Sequence, residues 1–281
     1  MDVEIAQRSL RWTAPTQSGI GDRLIDVILV LSLARLAKSH LYMVWPEPTQ
    51  NEQINSKTPH RLVDVKVENI SRYINLPSDL TIGDTTTPTT DRFEAGVGGD
   101  GNFHNFYVHY VPKEHSFYAF IQACKSTARD IQPCAEIEAW MHTLPNHYAA
   151  FHIRRGDKVR SGKSCFDFVS DQDVNRLDEI TRAQIDICAA YGIQDYFICG
   201  DEDHLTQPFK DYVSKTKGCN VITVPCVEKH VQTFYDLFGI SFSSVVYVST
   251  RYSSFSRVAG MIGRTTCMSV YEPSHVWYTF G

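Results

Sequence analysis

Three short segments of the 281-residue chain carry residue types suited to holding a phosphorylated ligand. The first is His152-Ile153-Arg154-Arg155-Gly156-Asp157-Lys158, entered by the apolar run Tyr148–Ile153. Alternation along a strand places His152, Arg154 and Gly156 on one side and Ile153 and Arg155 on the other. One arginine can then face a cleft while its neighbour is tied down inside. An arginine fork binds phosphate oxygens in a bidentate way, and Asp157 stands ready to neutralise Arg155 or Lys158. Taken alone, the segment supports anion binding, and a solvated charge run closing a strand is its plainer reading. Arg155-Gly156-Asp157 also spells an adhesion tripeptide, against which the apolar strand argues.

The second segment is Gly19-Ile20-Gly21. Glycines let backbone amides approach a phosphate, and a following helix adds unpaired N–H donors and a favourable dipole. The same pattern also makes plain tight turns, and Asp22 would repel an anion unless it turned away. The third is Ser253-Ser254-Phe255-Ser256, with Asp236 upstream. Hydroxyl residues where a strand passes into a helix can bind phosphate or simply cap the helix.

The elements that would position these segments alternate between strand and helix. Residues 5–13 form an expected first strand, and the run from Asp22 to Lys38, apolar on nearly every side, an expected buried helix. Leu41–Trp45 reads as a strand closed by Pro46 and Pro48, and Val63–Val67 as a further strand. Residues 83–102 read as a long loop near a binding cleft, Phe103–Val111 as strand or loop, and Phe117–Ala128 and Ala135–Thr143 as helices. A second series follows: strand Tyr148–Ile153, helix 171–191, strand Tyr196–Cys199, strand Val221–Val224, helix 230–243, strand Val245–Val248 and a helix opening at Ser254. Such alternation predicts mostly parallel sheets, whose ligands sit at the carboxyl ends of the strands. All three segments fall at such ends.

Bulk properties narrow the field. Net charge is −5, whereas a nucleic-acid binder would usually show a basic excess. The eight cysteines form no Cys-x-x-Cys pair or zinc spacing, so scattered buried thiols in a reducing compartment are expected. Met1-Asp2-Val3-Glu4 starts no signal peptide, and the longest apolar stretch, Leu24–Ala37, is shorter than a membrane span. A cytoplasmic enzyme without a transmembrane segment is the expectation.

Together the three segments resemble the fucosyltransferases of the α1,6, α1,2 and protein O-linked types, which share a Gly-rich turn, a central His-x-Arg-Arg-x-Asp segment and a Ser-rich motif. Lys158-Val159 favours the α1,6-like branch. Asp236 and Ser241 match an Asp-x-x-x-x-Ser pattern, and Arg257-Val258-Ala259 also matches. The resemblance covers about 18–38, 148–162 and 195–262. It implies a GT-B fold, two Rossmann-like domains facing a central cleft, here residues 1–145 on the acceptor side and 146–281 on the donor side. It implies transfer of L-fucose from GDP-fucose to a glycan acceptor with inversion, and no metal or other cofactor. Gly19, Gly21 and Arg154 would hold the β-phosphate, and His152 and Asp236 would contact guanine. Ser253, Ser254 and Ser256 would support the diphosphate, and Arg155 would brace the loop.

One departure concerns the base. Relatives of the α1,6 type carry a glutamate four residues after the motif lysine, and Gly162 stands there. Asp157 matches a family acid, and Asp167 or Asp171 could reach in from the next loop. Two other readings stay open: another GDP- or UDP-sugar donor such as UDP-xylose, and a non-catalytic nucleotide-sugar or glycan-binding module. Asp201-Glu202-Asp203 also matches the Asp-x-Asp metal motif, although an acidic turn after a strand is its plainer reading.

Overall fold

The computed structural model describes residues 9–13, 19–46, 66–83, 91–92, 107–108, 110–155, 159–160, 169–225, 227–249, 253–263, 265–269 and 276–277. They form two compact units, one running to Gln132 and one starting at Pro133.

The first unit contains β1 (Ser9–Thr13), α1 (Ile20–Leu36), β2 (His40–Val44), α2 (Val67–Tyr73), β3 (Ile74–Asn75), β4 (Leu80–Gly83), β5 (Asp91–Arg92) and α3 (Phe117–Arg129). Its sheet has the order β4-β2-β1-β5, with every pair parallel. The first expected strand, helix and second strand are present, but the helix begins at Ile20 rather than Asp22 and so takes in part of the expected turn, while 5–8 and 14–18 lie outside the described residues. Helix α1 is buried from Ile20 to Ala34 except at Asp22, as a surface apolar on nearly every side requires, and it carries Arg23, Asp26 and Ser32 inside with it. At its far end Arg35 forks onto Asp79 at 2.7 and 2.9 Å and reaches Asp130 at 2.7 Å. The Arg35 hydrogen bond holds the Asp79 carboxyl below its ordinary range.

Two expectations for this unit are corrected. Val67 opens α2 rather than ending a strand: Asn69, Ile70 and Tyr73 are buried together at helical spacing, while 63–65 lie outside the described residues. Tyr107, Val108 and Tyr110 are helical, in the stretch read as strand or loop, where 103–106 also lie outside the description. In the expected loop at 83–102, Gly83 ends β4 and Asp91–Arg92 pair with β1; the rest is outside the described residues.

The two-residue strand β6 (Gln132–Pro133) marks the boundary between the units. The second unit then runs α4 (Ala135–Met141), β7 (Ala149–Ile153), β8 (Val159–Arg160), β9 (Val169–Ser170), one 3-10 turn (Asp171–Asp173) and α5 (Val174–Ala190). It continues with β10 (Asp195–Gly200), α6 (Asp203–Asp211), a π turn (Tyr212–Thr216), β11 (Asn220–Ile222), α7 (Lys229–Ser241), β12 (Val245–Val248), α8 (Ser254–Gly263), β13 (Thr266–Ser269) and β14 (Val276–Trp277). The division expected near residue 145 differs from the observed one chiefly by α4. That helix belongs to the second unit because Trp140 packs on Phe197 and Tyr235, with ring centroids 6.0 and 5.1 Å apart, and the Tyr235 hydroxyl donates to Glu136 at 3.0 Å.

The main sheet of this unit has the order β11-β10-β7-β12-β13-β14 and is parallel except for the last pair. The chain lays down β7, moves outward through β10 and β11, then crosses back to place β12 on the other side of β7. The reversal point therefore lies between β7 and β12, and their carboxyl ends border the crevice where doubly wound sheets bind ligands. On one face Ala149, Phe151, Ile153, Tyr196 and Ile198 join Ile185, Cys188 and Phe209 in a core cluster. Alternation sends His152, Phe197 and Cys199 to the other face.

Two close approaches require glycine. A Cβ at Gly200 would lie 2.4 Å from the Ile153 carbonyl oxygen, and one at Gly263 would lie 1.5 Å from that of Ser241. The first lets β10 end flush against β7; the second seats α8 against the end of α7. Among the described residues, Cys124, Cys134, Cys188, Cys199, Cys219 and Cys267 are free thiols. No helix among the described residues is long and apolar enough to cross a membrane.

Candidate active site at the carboxyl ends of the second sheet

Strand β7 is buried along its whole length and delivers its last residues to the sheet edge. Register puts His152 beside Cys199 of β10 and Val248 of β12. Beyond the strand the backbone is pinned from both sides. The Arg154 N–H donates to Ser249 Oγ at 2.9 Å, and the Ser249 N–H donates to the His152 carbonyl at 3.0 Å. From the β10 side, Asp201 accepts the Arg155 N–H at 3.1 Å and the Arg154 guanidinium at 3.1 Å, one oxygen each. Asp201 is 6% exposed, so its pairing takes place away from bulk water, where charge-assisted hydrogen bonds are strong.

The two arginines part company as alternation requires. Arg155 turns inward, is buried, and pairs with Asp178 of α5. Burial works against its charge and the Asp178 carboxylate supports it. The Arg154 side chain stays 16% exposed at the crevice rim.

Ser253 precedes α8, and its Oγ accepts the Ser256 N–H at 3.4 Å, an N-cap. The Ser256 side chain points inward: its hydroxyl lies 2.6 Å from His152 Nδ1, with both residues buried. Ser253 Oγ lies 3.5 Å from the same nitrogen, and the Phe255 ring packs against the imidazole at a centroid distance of 5.3 Å. Ser254 is half-buried at the first position of the helix.

Asp236 lies on α7 and is 7% exposed. Among the described residues its Oδ1 has no hydrogen-bond partner. Burial pushes the carboxyl up to about 7, with Lys229 and Lys210 pulling against it. Its charge is in turn felt by the thiol of Cys199, the register neighbour of His152. A buried acceptor left open in this way costs about 1–3 kcal/mol, a cost that a ligand N–H donor would remove.

The remaining predicted residues fall elsewhere. Asp171 is exposed, and its Oδ1 accepts the N–H of Gln172 at 3.0 Å. Gly156, Asp157, Lys158, Gly162 and Asp167 lie outside the described residues. Gly19 and Gly21 belong to the first unit. Gly19 precedes α1 in an extended conformation with no side-chain cap and open space around its Cβ position, and Gly21 is buried in the first turn. Just after them, Arg23 is fully buried, donates to the Pro46 carbonyl at 3.0 Å and lies over the Trp45 ring at 5.2 Å.

The Asp-x-Asp pair divides its allegiance. Asp201 faces the arginines, whereas Asp203 is exposed and pairs with Lys229 at 2.9 Å. Among the described residues, no group of three or more His, Cys, Asp or Glu side chains is placed to hold a metal ion.

Sequence reasoning missed Ser249 and Asp178 altogether and did not foresee that Asp201 would hold both arginines. Ser249 had a signal, since it is the first residue past a strand's carboxyl end. Asp178 had none, because nothing local to α5 announces which helix a buried arginine will meet.

No protein-family model matches the chain, and no curated protein matches it. Among solved structures, the chain is similar to the NodZ α-1,6-fucosyltransferase soaked with GDP-fucose, at 13% identity over 96% of this chain and 98% of that one, with a TM-score of 0.54. It is similar to fucosyltransferase NodZ from Bradyrhizobium at 14% identity, covering 96% and 97%, with the same TM-score of 0.54. It also resembles POFUT1 in complex with GDP-fucose at 9% identity, covering 92% and 96%, with a TM-score of 0.50. At such identities the likeness speaks to the fold alone: the chain has the mixed α/β, parallel-sheet fold of the GT-B-type fucosyltransferases.

Proposed function

We propose that the chain is an inverting glycosyltransferase that moves a sugar, L-fucose from GDP-fucose, to a glycan acceptor without a metal ion. The observation that carries this reading is the contact of His152, two residues before Arg154, with Ser256 of the α8 start at the reversal point of the second sheet. The GDP-fucose in the NodZ and POFUT1 structures supports the choice of donor.

The chemistry follows from where charge develops. As the bond between sugar and β-phosphate breaks, negative charge gathers on the departing diphosphate. Donors placed in advance at that position stabilise the transition state more than the ground state. In this reading Arg154 supplies the cationic fork, and Asp201 and Ser249 hold the backbone that aims it. The first N–H groups of α8 add neutral donors. Asp236, with an open acceptor in a buried setting, takes N–H donors of guanine, and His152 makes the second contact to the base.

The acceptor hydroxyl attacks the anomeric carbon from the face opposite the departing diphosphate and gives its proton to a carboxylate. That base is sought among Asp157, Asp167 and Asp171, with Asp171 handicapped by its bond to Gln172. Gly162, in place of the glutamate of α1,6-type relatives, favours one competing reading, a module that binds the nucleotide sugar without transfer.

Thermal-shift titration with GDP, UDP, GDP-fucose and UDP-xylose tests the donor, because a ligand bound only by the folded chain raises its melting temperature. GDP and GDP-fucose are expected to raise it and the uridine compounds to leave it unchanged; a shift with UDP alone would refute the GDP assignment. Slow hydrolysis of GDP-fucose, unaffected by EDTA, is expected of the enzyme, whereas binding without hydrolysis or transfer marks the module.

A further inference from the structure

The buried contact between His152 and Ser256 settles a question that distances alone leave open, namely which ring nitrogen carries the proton. Ser256 is fully buried, and among the described residues its hydroxyl has a single hydrogen-bond partner, His152 Nδ1 at 2.6 Å. A neutral imidazole has one N–H and one bare nitrogen. If Nδ1 carried the proton it would donate to Ser256 Oγ, and the serine O–H would be buried with no acceptor. If Nδ1 is bare, the serine O–H donates to it and both groups are satisfied. The second arrangement avoids the expensive outcome, a buried donor left unmade. Ser253 Oγ accepts the Ser256 N–H at 3.4 Å and stands 3.5 Å from the same ring nitrogen, whose single lone pair is taken by the nearer Ser256 hydroxyl.

We infer that Ser256 is a positioning residue that acts through His152. Its hydroxyl fixes the imidazole in the form protonated at Nε2, so that His152 meets the nucleotide base as a hydrogen-bond donor. The base contact rests on the GDP reading above; the tautomer does not. A donor from His152 and an acceptor from Asp236 complement a guanine edge, where O6 accepts and N1–H and the 2-amino group donate. The contact with His152 also removes Ser256 from the set of hydroxyls available to the diphosphate and leaves that task to Ser253, Ser254 and the backbone of α8.

The test is long-range nitrogen–proton correlation NMR on the full chain with labelled histidine, with His152→Gln used to assign the ring. The bare and protonated nitrogens of a neutral imidazole resonate far apart. The wild type is expected to show a bare Nδ1 and a protonated Nε2, Ser256→Thr to keep that pattern, and Ser256→Ala to give a mixture of tautomers. GDP binding is expected to weaken by about tenfold in Ser256→Ala, the scale of one lost oriented hydrogen bond, and to recover in Ser256→Thr. A protonated Nδ1 in the wild type overturns the inference whatever the variants do, including a variant that fails to fold. Unchanged ring signals in Ser256→Ala overturn it as well. If the wild type shows the expected tautomer but binds no GDP, the nucleotide reading falls and the tautomer lock stands.

Discussion

Two junctions, each leading from a parallel strand into a helix, differ in what surrounds the helix start. At the start of α1, Gly19 and Gly21 present bare backbone: no side chain caps the helix, and open space surrounds the Cβ position of Gly19. At the start of α8 and the adjoining strand ends, the backbone is crowded by side chains that hold one another. Ser249 and Asp201 fix the arginine segment, Ser253 caps the helix, and Ser256 reaches back to His152. The first junction works by leaving room, the second by filling it. Side-chain substitutions should therefore be costly at the second junction, whereas at the first only added bulk should matter.

The largest expected effect is at the crevice rim. Arg154→Ala should lose about 2.7–4 kcal/mol of transition-state stabilisation, by analogy with deletion of a key charge-stabilising donor, and should also lower the melting temperature, because it strips the buried Asp201 of its charged partner. Steady-state kinetics beside a melting curve checks this, and near-wild-type turnover removes Arg154 from the chemistry.

Asp236→Asn comes next. An Asn in place of the carboxylate should weaken GDP binding by about 1.5–3 kcal/mol, the range for a hydrogen bond to a charged group. Its effect on stability has the opposite sign and depends on pH. The folded carboxyl is raised from 3.8 to about 7, so between those values the folded chain keeps a proton that the unfolded chain has released. The stability from this group is complete below about pH 3.8 and drains as pH climbs to about 7. The melting temperature of Asp236→Asn relative to wild type should thus rise from about pH 4 to about pH 7 and level off above; a flat difference would mean that the wild-type carboxyl titrates normally.

Gly200→Ala should destabilise by about 1–3 kcal/mol through overpacking, because the new Cβ meets a backbone carbonyl rather than a yielding side chain. Denaturant titration measures it. The smallest effect belongs to the open junction: Gly19→Ala should cost about 0.5 kcal/mol as an N-cap change. If backbone amides there approach a phosphate, turnover should nevertheless fall by more than that stability loss explains. Equal turnover in Gly19→Ala and wild type would erase the functional side of the comparison.

The contrast also explains what the sequence disclosed. The apolar run of α1, strand Val245–Val248 and the helix opening at Ser254 are written in local periodicity and were legible at once. The inward and outward roles of Arg155 and Arg154 followed from strand alternation. Helix α6 was not legible, because Pro208 sits inside it and its polar first turn reads as a loop. Nor was α2, whose first residue closes the expected strand Val63–Val67 and whose Asn69, Ile70 and Tyr73 share a buried face only in the folded chain. In the site, residue types were visible but partners were not. Asp178 and Ser249 lie far along the chain from the arginines they hold, and only the winding of the sheet brings them together.

The seating of Gly263 on the Ser241 carbonyl reaches beyond local packing. Helix α7 carries the carboxylate assigned to the base and α8 the serines assigned to the phosphates, and at this point no atom can be inserted between them. A designer who shifts α7 to admit a different base would drag the phosphate-side helix with it, so a change of nucleotide in this scaffold should come from exchanging the two helices as a cassette rather than from substitutions made one at a time.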